Sequence, residues 1–288
     1  MSDPSGSSPS RPIVTARELR DRLLDGDVVL VDARTGPDAR LRYRAAHLPG
    51  ARFVDLDADL ARRGDDAALG GRHPLPPIGD FARLIGQLGI APATPVVVYD
   101  EASGANAASR LWWMLRSAGH GAVQVLDGGL AAALDAGIGT EAGDVRPASV
   151  APYPAREWTL PTASMADVER ASRDGSAPII DVREARRYRG EIEPIDTVAG
   201  HIPRAMNIPF ATNLDASGHY LAPDALRAKY AAALGDHRPD DAIVHCGSGV
   251  TACHTLLAFA QAGLPIPRLY VGSWSEWSRN PNPVATGE

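Results

Sequence analysis

Of the two cysteines in this 288-residue chain, one closes an apolar run and is followed at once by glycine, serine, glycine, valine and threonine, in the stretch AIVHCGSGVTACHTLLAF, residues 242–259. The apolar run reads as a buried strand, and TACHTLLAFAQAG has the apolar spacing of a helix that ends at Gly263. Cys246 is therefore expected on a strand-to-helix turn. Glycines at 247 and 249 permit backbone angles that other residues resist, so successive N–H groups can point at the cysteine sulfur. A thiolate is the reactive form of cysteine, and inward N–H groups and a helix N-terminus stabilise it. Such a thiolate can attack the outer sulfur of a donor and take it as a persulfide, which the same cradle then holds as an anion. A thiol or cyanide next removes the sulfur. This double displacement calls for no metal and no organic cofactor. Cys253, seven residues further on and inside the helix, reads as a small core hydrophobe.

The elements that must hold this turn occur twice. In the first half VVLVDART leads to AAHLPGARFVDLDADL, then to TPVVVYDEASGANAASRLWWMLRSAG, then to VQVLDGGLAAALDAG. In the second half APIIDVRE, AGHIPRAMNIPF, DAIVHCGSGVTACHTLLAFAQAG and PRLYVGSWSEW follow in the same order. Asp32 matches Asp181, Arg34 matches Arg183, His47 matches His201, and Asp100 falls opposite Cys246. Asp100 reads as a turn or capping residue, and the two histidines, in repeated H-(L/I)-P turns, as residues of the fold. Short β-branched runs (VVLVD, PVVVYD, VQVLDGG, PIID, AIVHC) broken by helical stretches predict an α/β fold of two tandem domains, each a mainly parallel sheet flanked by helices.

The Pro-, Gly- and Ala-rich stretch TEAGDVRPASVAPYPAREWT places the boundary. This divides the chain into a disordered tail over 1–11, a non-catalytic domain over 12–141, a linker over 142–159 and a catalytic domain over 160–288. With 44% hydrophobic and 22% charged residues the chain has the composition of a soluble globular protein, and a net charge of −6 gives no general pull toward nucleic acid or anionic membranes. The N-terminal MSDPSGSSPSRP lacks the apolar core of a secretory signal, and no run of apolar residues is long enough to span a bilayer. Two cysteines make neither a disulfide framework nor a Cys-rich metal site. A cytoplasmic setting is expected, with neither nucleic acid nor membrane as a partner.

The repeated D-x-R and H-(I/L)-P framework, the CGSGVTACH loop and the closing GSWSEW resemble the tandem-rhodanese sulfurtransferases from about residue 12 onward. The resemblance implies two rhodanese-like domains, with Cys246 as the nucleophile of the second. A loop beginning Cys-Gly-Ser-Gly-Val-Thr is similar to that of the 3-mercaptopyruvate sulfurtransferases, whereas thiosulfate enzymes usually carry Arg and Lys where Gly247 and Ser248 stand here. The resemblance further implies that Gly247, Gly249, Val250 and Thr251 bind substrate. It also assigns donor binding to the arginine that precedes an aromatic residue, Arg187 before Tyr188, a planar fork suited to a carboxylate. The alternative is that Arg183, Arg186, Arg187 and Arg189 are simply solvated surface charge. Mercaptopyruvate enzymes often carry a second arginine in an EPR segment, where this chain has Glu193, Pro194 and Ile195. Arg187 is thus expected to hold the donor carboxylate alone, at a pocket mouth whose loop lacks positive charge, and strict mercaptopyruvate preference is weakened. Asp57 and His73 stand at positions matching an aspartate and a histidine proposed in that family to act with the loop serine, here Ser248, as a proton relay. The alternative is that Arg72 and His73 only line a polar cleft between domains.

These readings lead to a sulfurtransferase that moves sulfane sulfur from 3-mercaptopyruvate, or second from thiosulfate, through a Cys246 persulfide. The expected acceptor is cyanide or a thiol, carried by a thioredoxin-like protein or a low-molecular-weight compound. Two rival classes remain. A cysteine phosphatase would share His245-Cys246 but needs an arginine six residues after the cysteine, where Ala252 stands. A non-enzymatic rhodanese module would only bind a partner or carry sulfur.

Overall fold

The computed structural model describes residues 11–26, 28–62, 64 and 66–288; residues 1–10 of the expected tail lie outside the described residues. The first sheet contains β1 (Ile13–Val14), β2 (Val29–Asp32), β3 (Arg52–Phe53), β4 (Val96–Tyr99) and β5 (Val123–Leu126), in the order β1-β5-β4-β2-β3. The second contains β6 (Thr162–Ala163), β7 (Ile179–Asp181), β8 (Ala205–Asn207), β9 (Ile243–His245) and β10 (Arg268–Tyr270), in the equivalent order β6-β10-β9-β7-β8. Every pairing in both sheets is parallel. Both sheets are therefore built by crossover connections that place helices on their faces.

The repeated D-x-R motif has a concrete job. Arg34 Nη2 donates to Asp32 at 2.6 Å and to the Ala46 carbonyl at 3.0 Å, and Arg183 Nη2 donates to Asp181 at 2.6 Å and to the Gly200 carbonyl at 2.7 Å. Each pair thus latches a strand end to the residue just before the H-(L/I)-P turn. His47 and His201 bond the carbonyls of Tyr43 and Tyr188, both at 2.8 Å, and stack on the same two rings.

Helices Ala107–Ser117 and Ala252–Gln261 occupy equivalent places, each following the strand that ends next to Asp100 or Cys246. They pack on one another in a core that includes Trp112, Leu115, Leu256 and Phe259 from both halves. Helices buried on nearly every side carry apolar residues on most faces, which is why both are mainly apolar, with Arg110 and His254 as buried exceptions. Around this shared core each domain covers the other. The N–H of Arg72 donates to Ser275 Oγ at 3.1 Å, and in the mirror arrangement the N–H of Tyr220 donates to Asp127 Oδ1 at 2.9 Å. Gly71, at φ +82°, allows the first of these approaches, because a Cβ there would lie 2.4 Å from the Gly272 carbonyl. The Pro-rich stretch after the first sheet lies along the first domain, with Trp158 packed between Phe81 and Trp113.

Candidate active site

Cys246 follows β9 directly and is buried. Its backbone is pinned by the closing GSWSEW segment. The N–H of Cys246 donates to Ser273 Oγ at 3.2 Å, while the N–H groups of Trp274 and Ser275 donate to the carbonyls of Cys246 (3.0 Å) and Gly247 (2.8 Å). Ser273 sits at φ 54°, a left-handed conformation unusual for a residue with a Cβ. Among the described residues, the N–H groups of Gly247 through Thr251 donate to no protein acceptor, which leaves them free for an anion on the sulfur.

The two glycines serve different ends. Gly249 has φ +73°, and a Cβ on it would lie 2.4 Å from the Val271 carbonyl oxygen, so both backbone angle and space demand glycine. Gly247 does not have a positive φ, contrary to the expectation from sequence. What it supplies is room: a Cβ there would meet Arg72 Nη2 at 3.2 Å and Arg187 Nη1 at 3.6 Å.

The first half shows what this loop geometry can hold. Asp100, in the place of Cys246, is wholly buried and accepts four backbone N–H groups, from Ala102 (2.8 Å), Gly104 (2.9 Å), Asn106 (3.1 Å) and Ala108 (3.3 Å). Burial pushes its carboxyl up and the four donors oppose that. Four donors on two oxygens suit the ionised form, so the fold builds an anion cradle at this turn and in the first half fills it with its own carboxylate. In the second half a thiol stands at the equivalent turn. Cys253 is a different case. Burial pushes its thiol up to about 12, and its Sγ contacts the Gly249 carbonyl at 3.5 Å, so it stays a protonated core residue.

His73 reaches across from the first domain. Its Nδ1 is 2.8 Å from Ser248 Oγ, and its Nε2 is 3.0 Å from Asp57 Oδ1. An ionised carboxylate only accepts, so Nε2 carries the hydrogen and Nδ1 offers its lone pair to the Ser248 hydroxyl. Burial, and then the charges of Arg110 and Arg72, push His73 below its ordinary 6.5, with Asp57 opposing. The imidazole is accordingly a neutral base at neutral pH.

Arg187 is not solvated surface. Its Nη2 donates to Glu193 Oε1 at 2.6 Å and lies 3.6 Å from Asp196 Oδ2, and it flanks the position of Gly247. Nor is it alone there. Arg72 from the first domain and Arg279 both donate to Asp196 Oδ1, Arg279 at 2.7 Å. Three arginines therefore gather beside the loop, and the positive charge comes from other elements rather than from the loop itself. Of the neighbouring arginines, Arg183 is buried in its latch to Asp181, and Arg186 is exposed.

One further residue escaped the sequence reading. Arg110, on helix Ala107–Ser117, is fully buried and donates to the carbonyls of His73 (2.7 Å), Leu60 (3.1 Å) and Gly249 (3.0 Å). It joins the histidine segment of one domain to the cysteine loop of the other, with no carboxylate among its hydrogen-bond partners in the described residues. The signal available in sequence was a charge placed mid-helix, a full turn and more before the terminal Arg116, between apolar neighbours. A cavity of about 480 Å³ opens elsewhere, between Trp112, Arg116, Arg227 and Leu264, and none of the site residues lines it.

A duplicated parallel fold with one buried cysteine on a glycine-bearing strand-to-helix turn at the domain interface defines the class. The family model of the rhodanese-like domain matches twice, over residues 15–136 and 164–280, and the chain belongs to that family as a tandem-domain sulfurtransferase. It is similar to the probable 3-mercaptopyruvate sulfurtransferase of Pseudomonas aeruginosa, with 40% identity over 97% of this chain and 99% of that one. It is equally similar to the putative thiosulfate sulfurtransferase SseB of Mycobacterium tuberculosis, with 40% identity over 96% of this chain and 97% of the other. The crystal structure of SseA from Escherichia coli, described as a 3-mercaptopyruvate sulfotransferase, matches with a TM-score of 0.77 and 33% identity, covering 93% of this chain and all of that one. Relatives at the same identity carry different donors in their names, so the names do not decide the donor. Among the described residues no helix is long and apolar enough to cross a membrane.

Proposed function

We propose that the chain transfers sulfur from 3-mercaptopyruvate through a persulfide on Cys246. The observation that carries this reading is the His73–Ser248 contact of 2.8 Å, which puts a neutral base on the cysteine loop. Mercaptopyruvate arrives with a thiol proton and leaves as pyruvate with a methyl group, so a proton must be moved; thiosulfate has none to move. The Cys246 thiolate attacks the donor sulfur. The S–S bond forms as the carbon–sulfur bond breaks, and the electron pair leaves as the pyruvate enolate. Ser248, backed by His73 and Asp57, takes the thiol proton and returns it to the enolate carbon, which yields pyruvate and a Cys246 persulfide anion. In the second half-reaction a thiol or cyanide attacks the outer sulfur and restores the Cys246 thiolate.

Arg187 holds the donor carboxylate, and Gly247, Gly249, Val250 and Thr251 supply backbone groups to the sulfur anion. The first domain, over 12–141, acts as a non-catalytic wall that contributes Asp57 and His73 to the domain over 160–288, with 142–159 as linker. The acceptor is cyanide, a low-molecular-weight thiol or a thioredoxin-like protein. Two unpaired cysteines fit a reducing, cytoplasmic setting. Side-by-side kcat/KM for mercaptopyruvate and thiosulfate tests the donor. The expected result is a preference for mercaptopyruvate that His73→Gln reduces without an equal effect on thiosulfate. A wild type that prefers thiosulfate, or an equal loss on both donors, would contradict the reading.

A further inference from the structure

The cavity of about 480 Å³ that lies away from the cysteine loop is lined by both domains. Helix Ala107–Ser117 contributes Trp112 and Arg116, and helix Ala252–Gln261 with the turn after it contributes Gln261 and Leu264. Arg227 comes from helix Pro223–Leu234, and Arg11 from the residues before β1. The lining thus holds three arginines, and no aspartate or glutamate is part of it. Arg116 donates to the Gly121 carbonyl at 3.2 Å and has no carboxylate partner among the described residues. Arg227 is held by two bonds to the Ala262 carbonyl, at 3.0 and 2.8 Å, and its acid, Asp224, is almost wholly exposed. Glu18, the partner of Arg11, also stands outside the lining. The other lining residues are mostly apolar. Two of them hold buried polar atoms that no protein group satisfies, Trp112 Nε1 and Gln261 Oε1, which is uncommon where two surfaces simply pack together.

We infer that this cavity binds a small organic anion with an apolar body, its charged group held by Arg116 and Arg227 and its body against Trp112 and Leu264. Guanidinium groups suit a carboxylate or phosphate, and the volume lies in the range of small-molecule sites, about 300–1,000 Å³. The two arginines belong to different domains, so the bound anion ties the domains together. Helix Ala252–Gln261, ten residues long, separates this site from the cysteine loop by about 15 Å. The site is therefore distinct from the one that receives the sulfur donor, and the inference stands whichever donor the enzyme prefers.

The test uses hexanoate and hexyl phosphate as probes on the full chain, read by isothermal titration calorimetry and by melting temperature. Hexylamine has the same body with the opposite charge, and inorganic phosphate has the charge without the body. Both anionic probes should bind at one site and raise the melting temperature, since they bind the folded state alone. Hexylamine should not bind, and inorganic phosphate should bind at least roughly tenfold more weakly than hexyl phosphate because it buries no apolar surface. Arg116→Gln should weaken the anionic probes roughly tenfold while sulfur transfer stays within about twofold, and Arg116→Lys should recover part of the binding. Arg187→Met, beside the cysteine loop, should leave binding and the melting shift unchanged. The inference is overturned if neither anion binds, if hexylamine binds as well as hexanoate, or if Arg116→Gln binds the probes as tightly as wild type. Loss of binding in Arg187→Met would place the probes at the donor site and overturn it equally.

Discussion

His73 Nδ1 and the Ser248 hydroxyl lie 2.8 Å apart although 175 positions separate them in the chain. The contact exists only because the two domains pack through a common core, so the first domain, which has no cysteine of its own, places a neutral imidazole on the cysteine loop. If the relay operates, persulfide formation should show an acid limb centred below 6.5, since burial and the neighbouring arginines favour the neutral imidazole. Activity is full above that limb and falls as the pH drops through it. Asp57 raises His73, so Asp57→Asn should move the limb to lower pH, only slightly because Asp57 is largely exposed, and should also lower the plateau through loss of tautomer control. A pH–rate profile that stays the same in both Asp57→Asn and His73→Gln would show that the limb belongs to another group.

The two cysteines should behave oppositely. Cys246→Ser should abolish transfer to every acceptor, because a serine oxygen cannot store sulfane sulfur. Cys253→Ser should keep most of the activity, since a thiol pushed up to about 12 supplies no thiolate at neutral pH and a serine can keep the bond to the Gly249 carbonyl. Intact-protein and peptide mass spectrometry after incubation with donor alone reads the result. An added sulfur on Cys253, or none at all, would overturn the mechanism.

The glycines offer a sharper contrast. Gly249→Ala must accept a left-handed residue, about 1–2 kcal/mol, and also push away the Val271 carbonyl just past the end of β10. Cys246 should be displaced and turnover should fall by at least roughly tenfold. Gly247→Ala meets only the tips of flexible arginines, so its effect should fall on KM, with kcat changed by less than about threefold. Equal effects at the two positions would mean that Gly247 is also a backbone requirement.

Much of this architecture could be read from the chain because it is written twice. The β-branched runs that became β2, β4, β5, β7 and β9 stand out against their helices, whereas β1, β3 and β6 have two residues each and no period to detect. The cysteine loop was legible because cysteine, glycine and serine at that turn have few other uses. The arginine cluster was not. Ile195 marked a missing cation, but the acid beside it, Asp196, gains meaning only when Arg72 arrives from the other domain. Long-range placement of a loop residue depends on how two packed surfaces meet, and neither half records that locally.

Arg110 is the clearest case of such hidden information, and its test follows from its partners. Its guanidinium bonds the carbonyls of Leu60, His73 and Gly249, and the last of these bonds sets its charge against the cysteine loop. Burial works against the charged form, so the cation is retained against its desolvation cost. Arg110→Met should leave buried carbonyls unpaired, about 1–3 kcal/mol for each that water does not reach, and should lower the melting temperature. Loss of stability alone would be a purely structural result. The functional role is read by alkylation of Cys246 with iodoacetamide at neutral pH, measured well below the melting temperature. Arg110→Met should slow this reaction roughly tenfold, because a neighbouring cation has gone and the loop has lost its tie to His73. Arg110→Lys keeps the charge but cannot reach three carbonyls at once, so it should stay close to wild type in alkylation while still losing stability. If both variants lose stability and neither changes the alkylation rate, Arg110 holds the domains together and has no influence on the sulfur.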